Sequence, residues 1–200
     1  MNFQQIRHTI TLLSVTALLS ACMGIPLTSV PRLLKLPDQL LTLNPAEFKV
    51  AVQLDDRMSP PAGSSPTLDI NIHPKNPADY APVDRKIPMQ LSVSSGAALG
   101  LDRADSGRRW LIYSFPASSQ AELASIQTQF KRIKADNDAK GNKGGGTFTV
   151  GISQESMVIP DNKLDGTRWE TWLQTDANDG FFELWSGTVA QIKAQAKKTK

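Results

Sequence analysis

The chain has 200 residues, with 22 Lys and Arg against 19 Asp and Glu, a formal net charge of +3, two histidines and one cysteine. That length suits one domain with a real core plus a short appendage, and the near-balance of charge argues against a nucleic-acid partner. A single cysteine excludes a disulfide framework, and with so little histidine the usual zinc and copper sites are excluded too.

Residues 1–21 have the make-up of a secretory signal. Arg7 is the one firm charge at the start, an apolar stretch runs from Ile10 to Leu19, and small residues close it at Leu19-Ser20-Ala21-Cys22. The apolar run is about half the roughly 20 residues that a spanning helix needs, which disfavours a transmembrane anchor. Leu-Ser-Ala-Cys resembles the lipobox of bacterial lipoproteins. The resemblance implies cleavage before Cys22, diacylglycerol on its sulfur and a further acyl chain such as palmitate on its amine. The lipid bilayer is then the first partner, because two or more chains anchor stably where one binds only marginally. Lipidation also accounts for a cysteine that has no internal partner. Met23, where an Asp tends to hold Gram-negative lipoproteins on the inner membrane, resembles the outer-membrane pattern and implies the periplasmic face of that membrane.

Residues 22–44 read as a lipidated tether that partly docks. Pro26, Pro31 and Pro37 oppose a long helix, yet Leu33, Leu34, Leu36, Leu40, Leu41 and Leu43 are too apolar for a free linker. A globular domain is expected over residues 45–190. Phe48, Val50, Val52 and Leu54 share one parity, as do Leu68, Ile70 and Ile72, and Met89, Leu91 and Val93; this period of two predicts strands with one buried face. Pro60-Pro61-Ala62-Gly63 and the stretch from Pro74 to Pro88 read as breaks. Arg108 to Phe115 is apolar on both parities and predicts a more central strand. Ser119 to Glu122 fits a capping box, and Leu123, Ile126, Phe130 and Ile133 then form one helical stripe ending near Asp136 to Gly141. Further strands are expected at 147–153, 168–174 and 181–185. A terminal helix is expected over 188–198, and residues 191–200 form a basic, solvated tail. Six or seven strands and one clear helix define an antiparallel, β-rich α+β single domain, with a β-sandwich carrying a helical insertion as the alternative. In organisation the chain resembles proteobacterial envelope lipoproteins with a leucine-rich tether and a β-rich domain, a likeness that implies location and no activity.

The search for chemistry is mostly negative. His73, in an alternating strand just before Pro74, reads as an exposed strand-end residue, and nothing matches a Gly-x-Ser-x-Gly nucleophile turn. Gly141 to Gly146 joins a helix to a strand and lacks the Lys-Ser/Thr pair of a phosphate loop. Asp136 to Thr147 and Asp161 to Trp172 each match a calcium loop in part, but neither has the terminal glutamate. No catalytic residue, metal or cofactor is therefore expected. The most suggestive feature is a hairpin from Arg168 to Trp185 with Leu173 opposite Phe182. Its second face would carry Glu170, Trp172, Phe181, Glu183 and Trp185, large rings beside acids as at contact surfaces. The reading is a membrane-anchored envelope lipoprotein acting as a non-enzymatic module that binds or assembles an envelope protein. Its rivals are a small-ligand or lipid-binding periplasmic module and a metal-independent hydrolase.

Overall fold

A computed structural model describes residues 25–93, 98–139, 146–158 and 161–198; the signal segment, Cys22 and most of the glycine-rich stretch lie outside them. Within those residues the chain forms α1 (Val30–Leu40), β1 (Lys49–Asp55), β2 (Thr67–Pro74), β3 (Val83–Pro88), β4 (Gln90–Val93), β5 (Arg108–Ser114), α2 (Ala117–Ala139), β6 (Gly146–Ser153), β7 (Arg168–Gln174), β8 (Phe182–Thr188) and α3 (Val189–Lys198). The strands make two antiparallel sheets, one of five strands in the order β4-β5-β1-β7-β8 and one of three in the order β3-β2-β6. This is a β-rich α+β domain.

The parity of β1 explains the arrangement. Phe48, Val50, Val52 and Leu54 point to one side and are fully buried. Val52 lies opposite Leu111 on one flank and Thr171 on the other, which adds β5 and β7 residues to the same face. Leu68, Ile70 and Ile72 of β2 and Ile87 of β3 meet them from the smaller sheet in one core. Leu123 and Ile126 of α2, Leu36 and Leu40 of α1, and Val189 and Ile192 of α3 join that core. One polar trio within it is paired internally. Gln154 accepts from the Trp169 indole at 2.8 Å and donates to the Thr171 hydroxyl at 2.8 Å, so neither buried group is left unpaired.

A single residue separates β3 from β4, yet the two strands belong to different sheets. At this corner the buried Met89 donates its N–H to the Pro66 carbonyl at 3.1 Å, and the Ser119 hydroxyl donates to Pro88 O at 2.8 Å. Sheets that share a core commonly exchange strands at such bends.

Three sequence expectations change. Pro74 to Pro88 is not only a break, because it contains β3. The tether folds as a helix: Pro31 occupies the first turn of α1, where its missing N–H is one of the free donors anyway. Pro37 ends that helix's normal bonding within one further turn. Ser119 is not a cap, since α2 begins at Ala117 and Gln120 N–H already bonds to Pro116 O at 3.0 Å. The Asp161 stretch is the turn that its missing terminal glutamate implies, with Asp161 accepting from Lys163 N–H and Asp165 paired to Lys193.

The apolar stripe of α2 does face inward, but unevenly. Leu123 is fully buried, whereas Phe130 is half-buried and stacks on Phe148 at 5.8 Å. Leu123→Ala should therefore cost roughly 2–5 kcal/mol, and Phe130→Ala less than the usual ~3–5 kcal/mol of a buried ring. Urea denaturation of the two variants checks the order. At the end of β1, the Arg57 guanidinium and then its N–H hold the Asp55 carboxyl down at about 2. Its stabilising contribution is complete above the ordinary carboxylate range and is lost as pH falls through about 2. Asp55→Asn should remove that part of the acid unfolding limb, as followed by circular dichroism against pH.

Candidate functional site

The far side of the five-stranded sheet carries the residues that the sequence singled out. Side chains directly opposite one another in an antiparallel pair share a face. Gln53 lies opposite both Trp110 and Glu170, Ala51 lies opposite Ile112 and Trp172, and Trp172 lies opposite Glu183. Glu170, Trp172, Phe181 and Glu183 thus occupy one side. The expected pairing of Leu173 with Phe182 is present.

Trp185 does not join them. The register shifts between Thr171 and Trp172, so that Thr171 faces Trp185 while Trp172 faces Glu183. The extra residue, Leu184, is a β-bulge that turns the remainder of β8 over. Leu184 and Trp185 therefore pack against the main core, with Trp185 lying over Gly187.

The far side is itself closed. Ala51, Leu101, Trp110, Ile112 and Phe181 form a second buried cluster, with Ala98, Ala104 and Trp172 packed on it. Trp110 and Trp172 meet edge to face at 6.0 Å. The segment from Ala98 to Asp105, between β4 and β5, is the cover. Asp102 O accepts from the Trp110 indole at 3.0 Å, and Leu99 O accepts from Phe181 N–H at 2.8 Å. This close approach requires two glycines. Gly100 and Gly180 have φ of +82° and +67°, and a Cβ on Gly180 would stand 2.6 Å from Leu99 O.

Beside the rings lies a charged cluster. Glu170 is 6% exposed and accepts from Arg108 at 3.1 Å and Arg168 at 2.7 Å. Arg108 also reaches Asp105 at 3.0 Å and the Gln53 carbonyl at 3.0 Å, so one guanidinium ties three strands to the covering segment. Gln53 Oε1, Arg108 Nε and Trp172 Nε1 are buried here without a hydrogen-bond partner among the described residues. Sequence reading missed Arg108, Gln53 and the covering segment, whose only hint was apolar character on both parities of β5.

Two other places bear on chemistry. His73 Nε2 hydrogen-bonds Asp84 at 2.7 Å across β2 and β3, with both side chains about half exposed. Among the described residues, no group of three His, Cys, Asp or Glu side chains is placed to hold a metal ion. An open groove of about 490 Å³ runs along edge strand β4, lined by Ser64, Gln90, Leu91, Arg109, Leu111 and Tyr113 together with the Pro60-Pro61 loop. Arg109 is braced by the Met58 carbonyl at 2.7 Å, and burial pushes the Tyr113 hydroxyl above its ordinary value.

These features define a β-rich domain with a self-covered aromatic face and an open groove along β4. No family model, curated protein or solved structure matches the chain.

Gly100→Ala should lift the covering segment, because its Cβ would land on the Phe181 backbone oxygen. Gly63→Ala carries a similar positive φ with nothing within 4 Å, so it isolates the backbone penalty of ~1–2 kcal/mol. Gly100→Ala should cost clearly more and shift tryptophan emission to the red; equal melts with unchanged emission would contradict the cover.

Proposed function

We propose that the chain is a lipid-anchored envelope protein, cleaved before Cys22, acylated there, and held on the periplasmic face of the outer membrane. Its domain acts as a non-enzymatic module that binds or assembles an envelope protein. The observation that carries the anchor is Leu19-Ser20-Ala21-Cys22 closing an apolar signal, with Cys22 the sole cysteine. The fold is compatible with a short leash. Ser29 is buried and its hydroxyl donates to Glu183 O, while Gln127 of α2 donates to the Leu40 carbonyl at 2.7 Å, so the chain is secured soon after the anchor point. The non-enzymatic reading draws support from His73, the one histidine after the signal, spent on an exposed pair with Asp84.

A second reading, a small-ligand or lipid-binding module, is favoured by the groove along β4. Apolar walls with one guanidinium would suit an amphipathic acid. Native mass spectrometry of protein taken from its own envelope distinguishes the two, since a ligand adds its mass and a scaffold does not.

Cys22→Ser should abolish lipid labelling and leave unprocessed precursor, seen as a larger species on a gel. Normal processing with membrane retention of that variant would overturn the anchor.

A further inference from the structure

Six large hydrophobic side chains are exposed among the described residues, and four of them, Ile25, Leu27, Val30 and Leu34, lie at the beginning of the described chain. Leu27 and Leu34 are the most exposed, at 76% and 77%. α1 turns Leu36 and Leu40 into the core and sets Leu34 on its opposite side. Val30 and Leu34 are four apart on α1 and so share this outward stripe with Pro31 between them, and the exposed Leu27 lies in the turn that leads into the helix. The stripe is apolar only toward the N-terminal end. Lys35 and Asp38 follow on its outer side, and Arg32 lies over the Phe182 ring at 5.0 Å.

This patch has a fixed relation to the anchor. Ile25 comes three residues after Cys22, and an extended chain spans at most about 3.3–3.6 Å per residue. Ile25 can therefore stand no more than about 10 Å from the acylated residue. Interfacial helices bury their apolar side roughly 5–10 Å into the boundary between head groups and acyl chains. Leu27, five residues after Cys22, can stand no more than about 18 Å from it, and Lys35 beside the exposed Leu34 suits lipid phosphate.

We propose that the N-terminal half of α1 and the turn before it form a membrane seat: Leu27, Val30 and Leu34 enter the bilayer interface beside the acyl chains of Cys22. The inference rests on the anchor proposed above. It adds that the domain is held in one orientation, with α1 against the lipid and the exposed Leu91, on edge strand β4 at the other end of the five-stranded sheet from β8, in water. A lipid chain alone leaves a domain free to swivel; a second, protein contact beside it fixes the orientation.

The test uses the full chain, processed in its own host and reconstituted in vesicles of phosphatidylethanolamine and phosphatidylglycerol. Leu27→Cys, Leu34→Cys and Leu91→Cys are labelled singly with an environment-sensitive dye, since the Cys22 sulfur is blocked by its thioether. All three positions are on the surface, and unchanged melting shows that each variant is folded. The dyes at Leu27 and Leu34 should be quenched by brominated lipid and should be several-fold less sensitive to aqueous iodide than the dye at Leu91. Equal quenching of the three, by either agent, would overturn the seat while leaving the anchor intact. A protein mass without acyl chains at Cys22 would overturn both.

Discussion

The structure depends on burial of the five-stranded sheet on both faces. β1 lies at its centre, and its alternation sends Val50, Val52 and Leu54 to one side and Ala51 and Gln53 to the other, all buried. One side is covered in the ordinary way, by a second sheet and helices. The other has no such layer, and an irregular segment lies across it. Such a segment brings unpaired backbone groups, so it must bond to whatever it covers. Asp102 O on Trp110, Leu99 O on Phe181 N–H and Asp105 on Arg108 are those bonds. Glu170 is buried with both Arg108 and Arg168 on its carboxylate, and stripping the partners from such a buried charge costs roughly 3–5 kcal/mol.

Strands with one apolar parity were legible in the sequence. β1, β2, β7 and the α2 stripe follow directly from residue spacing, as does the pairing of Leu173 with Phe182. β3 was not legible because it is an edge strand: only Val83 and Ile87 need burial, and three charged residues stand between them. α1 was hidden by its prolines, Pro31 in the first turn, where a helix tolerates it, and Pro37 inside the helix, which ends within one further turn. The bulge at Leu184 was invisible for a different reason. Alternation specifies a face only while the count is unbroken, and one added residue reverses everything after it. Trp185 was therefore assigned to the wrong side, while Trp172 was assigned correctly.

The candidate face was legible as composition and not as context. Rings mixed with acids fit both an interface and a covered polar-apolar layer. The difference lies in Ala98, Leu101 and Ala104, small or isolated residues with no periodicity to announce them. Once that side is closed by the chain itself, most of the exposed large apolar surface among the described residues lies at Ile25 to Leu34. Location and fold then point the same way: the least satisfied part of the surface is the part nearest the proposed lipid.

The central claim is that the aromatic face is covered by the chain itself and does not wait for a partner. Hydrogen exchange at the Phe181 amide, which donates to Leu99 O, measures this directly. The account predicts slow exchange in the purified protein, matching that in isolated native membranes. Fast exchange after purification, with protection only in the membranes, would contradict it and return Trp172 and Phe181 to a partner's interface.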